Sequence, residues 1–444
     1  MSEASPRGRI CVGLVEGEGL YYSRLVTAGP YVFMSALPVD DSGQLPSQAV
    51  VEPPYHLSPA AHVRLQTRFI YETYVKELGD VGSSIADVVQ IEQFMPAKRF
   101  GDGYTEESRS PGFLDRLRPT SANICTGDLR PSFATVTHTG IAVSPGFGYS
   151  KHVVPSSDGY VESLTQKSFG ATFADEGPFN EVITAGPYVF TVGDTAVDWA
   201  NADVHADAKV DDLVWWGSEI RSETNFVLNR LASYLARTGC ALDDIVHITV
   251  YLTDLGDLYE LDQVWRREFG SAPPARTVLP CRGLGIPAFE GKDLHHRDRA
   301  VHMEQLAQAV RPDAGYQRDV IARGLSPIGH ASPAIKAGPL LWTSELLAGD
   351  ANGAFRPDTR GQLELIFDRL VEICQDAGTE LANLVRFRAF VTDPDDAYLV
   401  HEVLKARIPS NPPTVAVSAV PGPLQIPGCS VLVDAVAYVP EAQP

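Results

Sequence analysis

The chain has 444 residues, enough for about three domains, and its 44% hydrophobic and 21% charged residues are typical of soluble globular proteins. Its formal net charge of −20 repels phosphate backbones, so we expect no nucleic-acid partner. No window holds the roughly 18 apolar residues that cross a bilayer, and the start of the chain lacks a signal-peptide pattern. We therefore expect a cytoplasmic protein without a membrane partner. The six scattered cysteines, none in C-x-x-C spacing, favour reduced thiols over disulfides or zinc.

A short phrase recurs three times along the chain. It reads SRLVTAGPYVF from residue 23, NEVITAGPYVF from residue 180 and SPAIKAGPLLW from residue 332. Its glycines, Gly29, Gly186 and Gly338, are separated by 157 and 152 residues. Steps this long and this similar predict three copies of one domain rather than a solenoid. Within each phrase, Ala-Gly-Pro predicts a tight turn between two short strands.

The same elements are predicted after each phrase. An amphipathic helix comes first and ends at a glycine, which readily takes the left-handed conformation of a helix C-terminus. A strand follows, and in copies two and three a Thr-Asp pair then predicts the start of a second helix. Copy one is disturbed there by glycine, serine and charged residues. The predicted strands after the first helix are 88–95, 120–126 and 137–143 in copy one, 245–252, 276–281 and 297–303 in copy two, and 384–391, 414–420 and 431–438 in copy three.

This order, ββ-α-β-α-ββ, predicts an α+β fold in which each copy is one domain. The domains are predicted at residues 8–150, 165–308 and 318–440. The linkers between them are predicted near residues 145–170 and 305–325.

Several motifs in these copies resemble one protein family. GPFNEVITAG, VYLTDLxD and PPART are together similar to the Rid (YjgF-like) family, once called endoribonuclease L-PSP. The resemblance covers most of copies two and three and, in copy one, mainly the first hairpin and helix. It implies a chorismate-mutase-like fold and a trimeric arrangement, with sheets forming a barrel and active clefts between subunits. Three tandem copies would then build an intramolecular pseudo-trimer, so we expect a monomer or dimer.

The resemblance also implies residue roles. In the family an arginine after Pro-Ala binds the substrate carboxylate, and this maps only to Arg276. Copies one and three have Pro119-Thr120-Ser121 and Pro412-Pro413-Thr414 instead. An acidic residue on the last strand, which positions water, maps to Asp298 in copy two and Asp434 in copy three, with Thr139 in copy one.

Two further polar positions complete the implied site. The second helix carries Asp262 in copy two and His401 in copy three, and His401 is a candidate general base because its free pKa lies near neutrality. The first strand carries Ser23, Asn180 and Ser332, of which the last two are candidate substrate-binding residues.

Other interpretations of these residues remain open. Asp298 could form an ion pair with a neighbouring arginine, and Asp434 could be the buried partner of a structural ion pair rather than a cleft acid. His295 and His296 are adjacent, and adjacent residues of a strand point to opposite faces, so we expect no metal site.

The resemblance implies a hydrolase or deaminase-like enzyme that needs no cofactor. Its substrate would be a small carboxylated enamine or imine, because family members convert such intermediates to ketoacids and ammonia, and its setting would be specialised metabolism. Two alternatives stay open. Related chorismatases fuse Rid-like units, so another biosynthetic reaction, chorismatase-like or a cyclisation, is possible. The scarcity of matched arginine and acid pairs also fits a non-catalytic, binding or chaperone-like pseudo-trimer.

Overall fold

A computed structural model describes residues 8–108, 113, 118–156, 179–198, 203–210, 217–285, 301–350 and 352–440. Within these ranges the chain forms three units with one order of elements: three strands, a helix, a strand, a helix and two strands. The predicted α+β class and threefold repeat are confirmed.

Copy one consists of β1 (Cys11–Gly17), β2 (Leu20–Ala28), β3 (Tyr31–Ala36), α1 (Pro59–Asp80), β4 (Val88–Met95), α2 (Gly101–Ser108), β5 (Thr120–Cys125) and β6 (Thr137–Val143). Copy two consists of β7 (Lys151–Val154), β8 (Val182–Ala185), β9 (Tyr188–Thr191), the short strands β10 (Asp194–Thr195), β11 (Val197–Asp198) and β12 (Asp203–Val204), then α3 (Glu219–Ala236), β13 (Ile245–Leu252), α4 (Leu258–Glu268), β14 (Ala275–Pro280) and β15 (Met303–Val310).

Copy three consists of β16 (Arg318–Ile321), β17 (Ala334–Ala337), β18 (Leu340–Thr343), the short strands β19 (Leu346–Leu347), β20 (Gly349–Asp350) and β21 (Gly353–Ala354), then α5 (Thr359–Asp376), β22 (Leu384–Val391), α6 (Ala397–Arg407), β23 (Thr414–Ala419) and β24 (Val431–Tyr438). The three main sheets have the same strand order, β1-β2-β3-β6-β4-β5, β7-β8-β9-β15-β13-β14 and β16-β17-β18-β24-β22-β23.

Local chemistry repeats with the fold. The turn glycines Gly29, Gly186 and Gly338 have φ values of 59°, 56° and 59°, a left-handed conformation that disfavours other residues. The first helix of each copy begins at a side-chain cap whose oxygen accepts a hydrogen bond from a backbone N–H of the first turn. These caps are Ser58, Ser218 and Asp358.

The structure corrects two sequence predictions of element position. β7 and β16 lie inside regions predicted as linkers, because each adds a strand before the recurring phrase. The last strand of copy two is Met303–Val310, whereas the sequence predicts 297–303, of which residues 297–300 lie outside the described ranges. The buried run that pairs with β13 extends from Met303 to Ala309.

Equivalent hydrogen bonds join the three copies in a ring. Backbone N–H groups of the first-strand positions donate to the proline that precedes the fifth main strand of the previous copy. They are Ser23 to Pro413 (3.1 Å), Asn180 to Pro119 (3.2 Å) and Ser332 to Pro274 (3.1 Å). We name the resulting interfaces the one–two, two–three and three–one clefts after the copies that form them.

The sheets enclose a common interior that is not threefold symmetric in chemistry. Register places Glu92, Thr249 and Arg388 at equivalent points of β4, β13 and β22. Arg388 donates to Glu92 Oε2 (2.7 Å), to Thr249 Oγ1 (3.0 Å) and to both carboxylate oxygens of Asp434. Next to this layer lies an aromatic one, in which the Phe94 ring centroid is 5.5 Å from that of Phe390. At the level of Glu92, Thr249 and Arg388, three different side chains therefore hydrogen-bond through Arg388, where a homotrimer would place three identical residues.

No helix in the described ranges is long and apolar enough to cross a lipid bilayer.

Because each copy contacts both of the other copies within one chain, we expect particles of one or two 48.1 kDa chains in solution rather than a trimer of chains. Light scattering coupled to size exclusion measures this directly. A species of three chains would contradict the closed ring, since no interface edge is left free to support it.

Candidate functional site

The three clefts differ at the position of Arg276. Strand register places Arg276 beside Ile248 of β13, and the same register places Ser121 in copy one and Val415 in copy three. Of these three equivalent positions, only the one in the two–three cleft therefore carries a cation.

The clefts also differ in the source of a carboxyl group. On β15, Glu304 accepts a hydrogen bond at Oε2 from Gly285 N (3.1 Å), and its carboxyl packs against Gly193. The equivalent strand positions are Leu432 in copy three and Thr137 in copy one. The last strand thus supplies an acid at this position only to the one–two cleft.

Copy three supplies a carboxyl group from a loop instead. The backbone N–H of Glu345 donates to Arg276 O (2.9 Å), as that of Gly193 donates to Ser121 O (2.9 Å), so Glu345 occupies the place of Gly193. Its Oε2 accepts a hydrogen bond from Val278 N (3.1 Å) across the interface. The two–three cleft therefore combines a cation and an acid, whereas the one–two cleft keeps an acid without the arginine.

Arg276 is enclosed at the base of this cleft. Its side chain has no exposed surface, and its Nη1 donates to Asp262 Oδ1 at 2.6 Å. Its guanidinium lies 5.1 Å from the ring centroid of Trp265. Ile328 and Gly329 cover it, since a Cβ at Gly329 would lie 2.4 Å from Nη2. As arranged, the structure leaves no room for a substrate carboxylate on Arg276.

Glu345 and Gln425 present unused polar atoms beside Arg276. Burial raises the pKa of Glu345 to about 8, although the positive charge of Arg276 acts in the opposite direction. Gln425 donates from Nε2 to Val278 O (2.7 Å). Within the part of the chain that the structure describes, Oε1 of Glu345 and Oε1 of Gln425 are buried without a hydrogen-bond partner. An orphaned buried acceptor is costly unless a water or ligand meets it.

Both residues line a cavity of about 510 Å³. All of its walls come from copy three, and Glu345 and Gln425 tie it to the interface through Val278 of copy two. A volume of this order suits a small-molecule ligand.

Ser344 also lines the cavity, but its hydroxyl is engaged. It accepts a hydrogen bond from Arg276 N (2.8 Å) and donates to Ser332 O (2.6 Å). This pairing fixes the loop that carries Glu345. It assigns Ser344 a positioning role, because no basic group takes up its proton.

The first-strand candidates contact the neighbouring copy rather than the cavity. The Ser332 hydroxyl donates to Pro273 O (2.6 Å) in the two–three cleft. The Asn180 side chain donates to Arg118 O in the one–two cleft. Both side chains satisfy backbone carbonyls at the ends of neighbouring segments, so they stabilise the interfaces.

His401 lies in the three–one cleft, apart from Arg276. Its Nδ1 is 3.3 Å from the backbone N and 3.1 Å from the backbone O of Tyr21. Burial lowers the pKa of His401 to about 4, so the ring is neutral near pH 7. The structure therefore does not bring His401 together with the other candidates.

Asp434 has the structural role that the sequence left open. It is fully buried on β24, where Arg388 binds both of its carboxylate oxygens. Arg388 holds the pKa of Asp434 down at about 2 despite burial. Register places Asp434 level with Thr139 of copy one and Leu306 of copy two, and it places Leu432 at the position of Glu304. Asp298 lies outside the described residues.

Among the described residues, no group of three His, Cys, Asp or Glu side chains is arranged to hold a metal ion.

Sequence reasoning missed four residues near the clefts and the cavity: Glu304, Glu345, Gln425 and Arg369. The signal for Glu345 was present, because aligning the phrases beyond the second strand sets TVGD against TSEL and places Glu345 opposite Gly193.

Comparison with known proteins shows the family of the chain. The profile of the family described as Endoribonuclease L-PSP matches residues 169–290 and 322–439, more than half of the chain. The protein mmf2, mitochondrial, of Schizosaccharomyces pombe is 33% identical over 116 residues, covering 26% of this chain and 82% of that protein. The chain belongs to the endoribonuclease L-PSP (Rid) family.

Two solved structures show the range of similarity. RidA from an Antarctic Psychrobacter is 26% identical and covers 28% of this chain and all of its own, with a TM-score of 0.26. A chorismatase is 13% identical and covers 79% of this chain and 93% of its own, with a TM-score of 0.46.

Proposed function

We propose that the protein hydrolyses a small carboxylated enamine or imine to a ketoacid and ammonia, and that the cavity beside the two–three cleft is its active site. The observation that carries this proposal is the buried carboxyl of Glu345, a residue that lines the cavity: its Oε1 has no hydrogen-bond partner among the described residues, and burial raises its pKa to about 8. A carboxyl group tuned this way is protonated at neutral pH and can act as a general acid.

The chemistry needs only proton transfers and one water. Glu345 gives its proton to the β-carbon of an enamine, which becomes an iminium ion. Water adds to the iminium carbon and loses one proton to Glu345, which leaves a neutral carbinolamine. The hydroxyl proton of the carbinolamine moves to the nitrogen as the C–N bond breaks, so ammonia and the ketoacid are released, one water is consumed and Glu345 returns to its starting state. The Gln425 Oε1 acceptor is placed to hold the attacking water or a substrate N–H.

Arg276 does not line the cavity but lies next to Glu345, which does. Its charge compensates Asp262 and lies beside the carboxyl of Glu345, while its backbone O accepts from Glu345 N. It therefore acts as a positioning residue for Glu345. RNA cleavage is not proposed, because a net charge of −20 opposes binding of a phosphate backbone.

One observation favours the second candidate, hydrolysis or elimination on a larger cyclic acid. A cavity of about 510 Å³ exceeds what a three-carbon enamine fills. Substrates of graded size in the assay below distinguish the two, since a rise in turnover with ring-sized side chains supports the larger acid.

The proposal is tested by generating 2-imino acids with an amino-acid oxidase and trapping the remainder with semicarbazide. We expect the protein to lower the trapped fraction, and Ser326→Trp, at the exposed rim of the cavity, to reduce this activity at least tenfold by blocking entry. The matched control is Ser233→Trp on the exposed face of α3, which should keep wild-type activity. Unchanged trapping with the wild-type protein over a range of imines would rule out the reaction, and full activity of Ser326→Trp would rule out the cavity.

A further inference from the structure

Arg369 on α5 lines the same cavity, opposite in charge to the carboxyl groups around it. Its Nη1 donates to Leu347 O, and its side chain is partly exposed. In the described ranges no carboxylate lies within ion-pair distance of it. A guanidinium with free donors on a cavity wall is suited to bind a carboxylate in a two-point fork.

Copy two shows what this arginine does when it has a partner. Arg230 occupies the same place on α3, where its Nη2 donates to Thr195 O (3.2 Å), as Arg369 donates to Leu347 O. Arg230 also forms an ion pair with Asp194 at 3.1 Å, and both side chains are at most 10% exposed. Copy two therefore neutralises its arginine internally.

Copy three has kept the cation and lost the acid. Register against the last strand places Asp194 and Leu346 at equivalent positions, since they pair with Gln305 and Val433. The leucine lines the cavity beside Arg369. The change removes the internal counter-ion of Arg369 on the cavity wall.

Arg276 does not compete for this role in the structure, because it is fully buried and paired with Asp262. The other charged group on the cavity wall is Asp350, which is exposed and whose Oδ1 accepts from Asn352 N (2.7 Å) in a turn. Solvent screens a charge placed there more than it screens a group within the cavity.

We propose that Arg369 binds the carboxylate of the substrate, and that the substrate is a small acid with an apolar body. The inference rests on the proposed function for the reaction but assigns a different arginine from the one that the family pattern suggests. The apolar body is argued from the walls, which include Leu325, Ile328, Leu346, Leu347 and Ile426. Bound this way, the acid places its reactive carbon in the cavity that Glu345 lines.

The first test is calorimetric titration with benzoylformate, an aromatic 2-oxo acid, and with its uncharged amide. We expect the acid to bind and the amide to bind at least tenfold more weakly. Arg369→Gln should weaken benzoylformate binding at least tenfold without changing the melting temperature, because the one partner that Arg369 has among the described residues is the backbone oxygen of Leu347. Arg360→Gln on the same helix, which removes an exposed ion pair with Glu402, should leave binding unchanged.

The second test leaves Arg369 in place. Leu346→Asp restores the counter-ion found in copy two and should abolish benzoylformate binding, whereas Leu346→Asn, of nearly equal size and without charge, should retain most of it. Equal affinity for the two variants, or wild-type affinity of Arg369→Gln, would overturn the assignment.

If imine hydrolysis persists in Arg369→Gln with an unchanged KM, the proposed function stands and Arg369 is not the carboxylate site. If imine hydrolysis is absent from the wild type while benzoylformate still binds through Arg369, the site stands and the reaction fails.

Discussion

Replacing Glu345 by glutamine is expected to lower kcat for imine hydrolysis by about 100-fold or more, the range typical of a lost general acid. Glutamine keeps the size of the side chain and can still accept the hydrogen bond from Val278 N. It cannot deliver a proton. KM should change less than kcat, because the substrate's carboxylate is held elsewhere on the cavity wall.

The matched control is Glu304→Gln. Glu304 is equally buried and its pKa is likewise raised to about 8 by burial, but it belongs to the one–two cleft, which lacks the arginine. We expect this variant to retain near wild-type turnover. If Glu304→Gln loses activity and Glu345→Gln does not, the active site lies in the one–two cleft and the assignment to the two–three cleft is wrong.

The pH profile provides a second readout for Glu345. Because Glu345 must be protonated, kcat should be constant below pH 8 and fall about tenfold per pH unit above it, and Glu345→Gln should lose this decrease at high pH.

The raised pKa of Glu345 also affects the stability of the folded protein. A carboxyl whose pKa is raised in the folded protein contributes stability that is complete below its unfolded pKa and is lost as pH rises through about 8. The melting temperature measured at each pH separates inactivation from unfolding.

Replacing Arg388 by methionine is expected to lower the free energy of unfolding by about 3–5 kcal/mol. Arg388 is fully buried and compensates two carboxylates, Glu92 and Asp434, whose side chains are 3% and 1% exposed. Without Arg388, the two buried acids keep, among the described cations, only the more distant Arg386, whose Nη1 lies 3.9 Å from Glu92 Oε1, so two carboxylates share one cation. Urea unfolding followed by circular dichroism measures the change.

Two controls test the cause. Arg360→Met breaks an ion pair whose side chains are 45% and 64% exposed, and it should cost no more than about 1 kcal/mol. The quadruple variant Glu92→Gln, Arg386→Met, Arg388→Met, Asp434→Asn also removes the neighbouring buried cation Arg386, so it leaves no charge at these four positions and should recover most of the loss. If the quadruple variant is as unstable as Arg388→Met alone, packing rather than charge compensation explains the effect.

The sequence by itself determined the fold. The patterns that predict it are local: three copies of Ala-Gly-Pro at near-equal steps, amphipathic helices that end at glycine, and apolar strands after them. Local patterns of this kind can be recognised in a single sequence. The family resemblance also rested on these patterns. The copies that matched it well, two and three, are the ones that the family profile recognises.

Only the tertiary structure decided which residues share a site. The family resemblance places the strand acid of copy two at Asp298, which lies outside the described residues, whereas register puts Leu306 of β15 at the position of Asp434. Arg276 matched its motif, yet it is enclosed with Asp262, since Gly329 of another copy lies over it. Arg369 and Glu345 are 24 residues apart on a helix and a loop, and Asp434 and Glu92, from different copies, both bind Arg388. Which charged residues compensate one another depends on contacts between segments that are distant in the sequence. Local sequence patterns carry no information about such contacts.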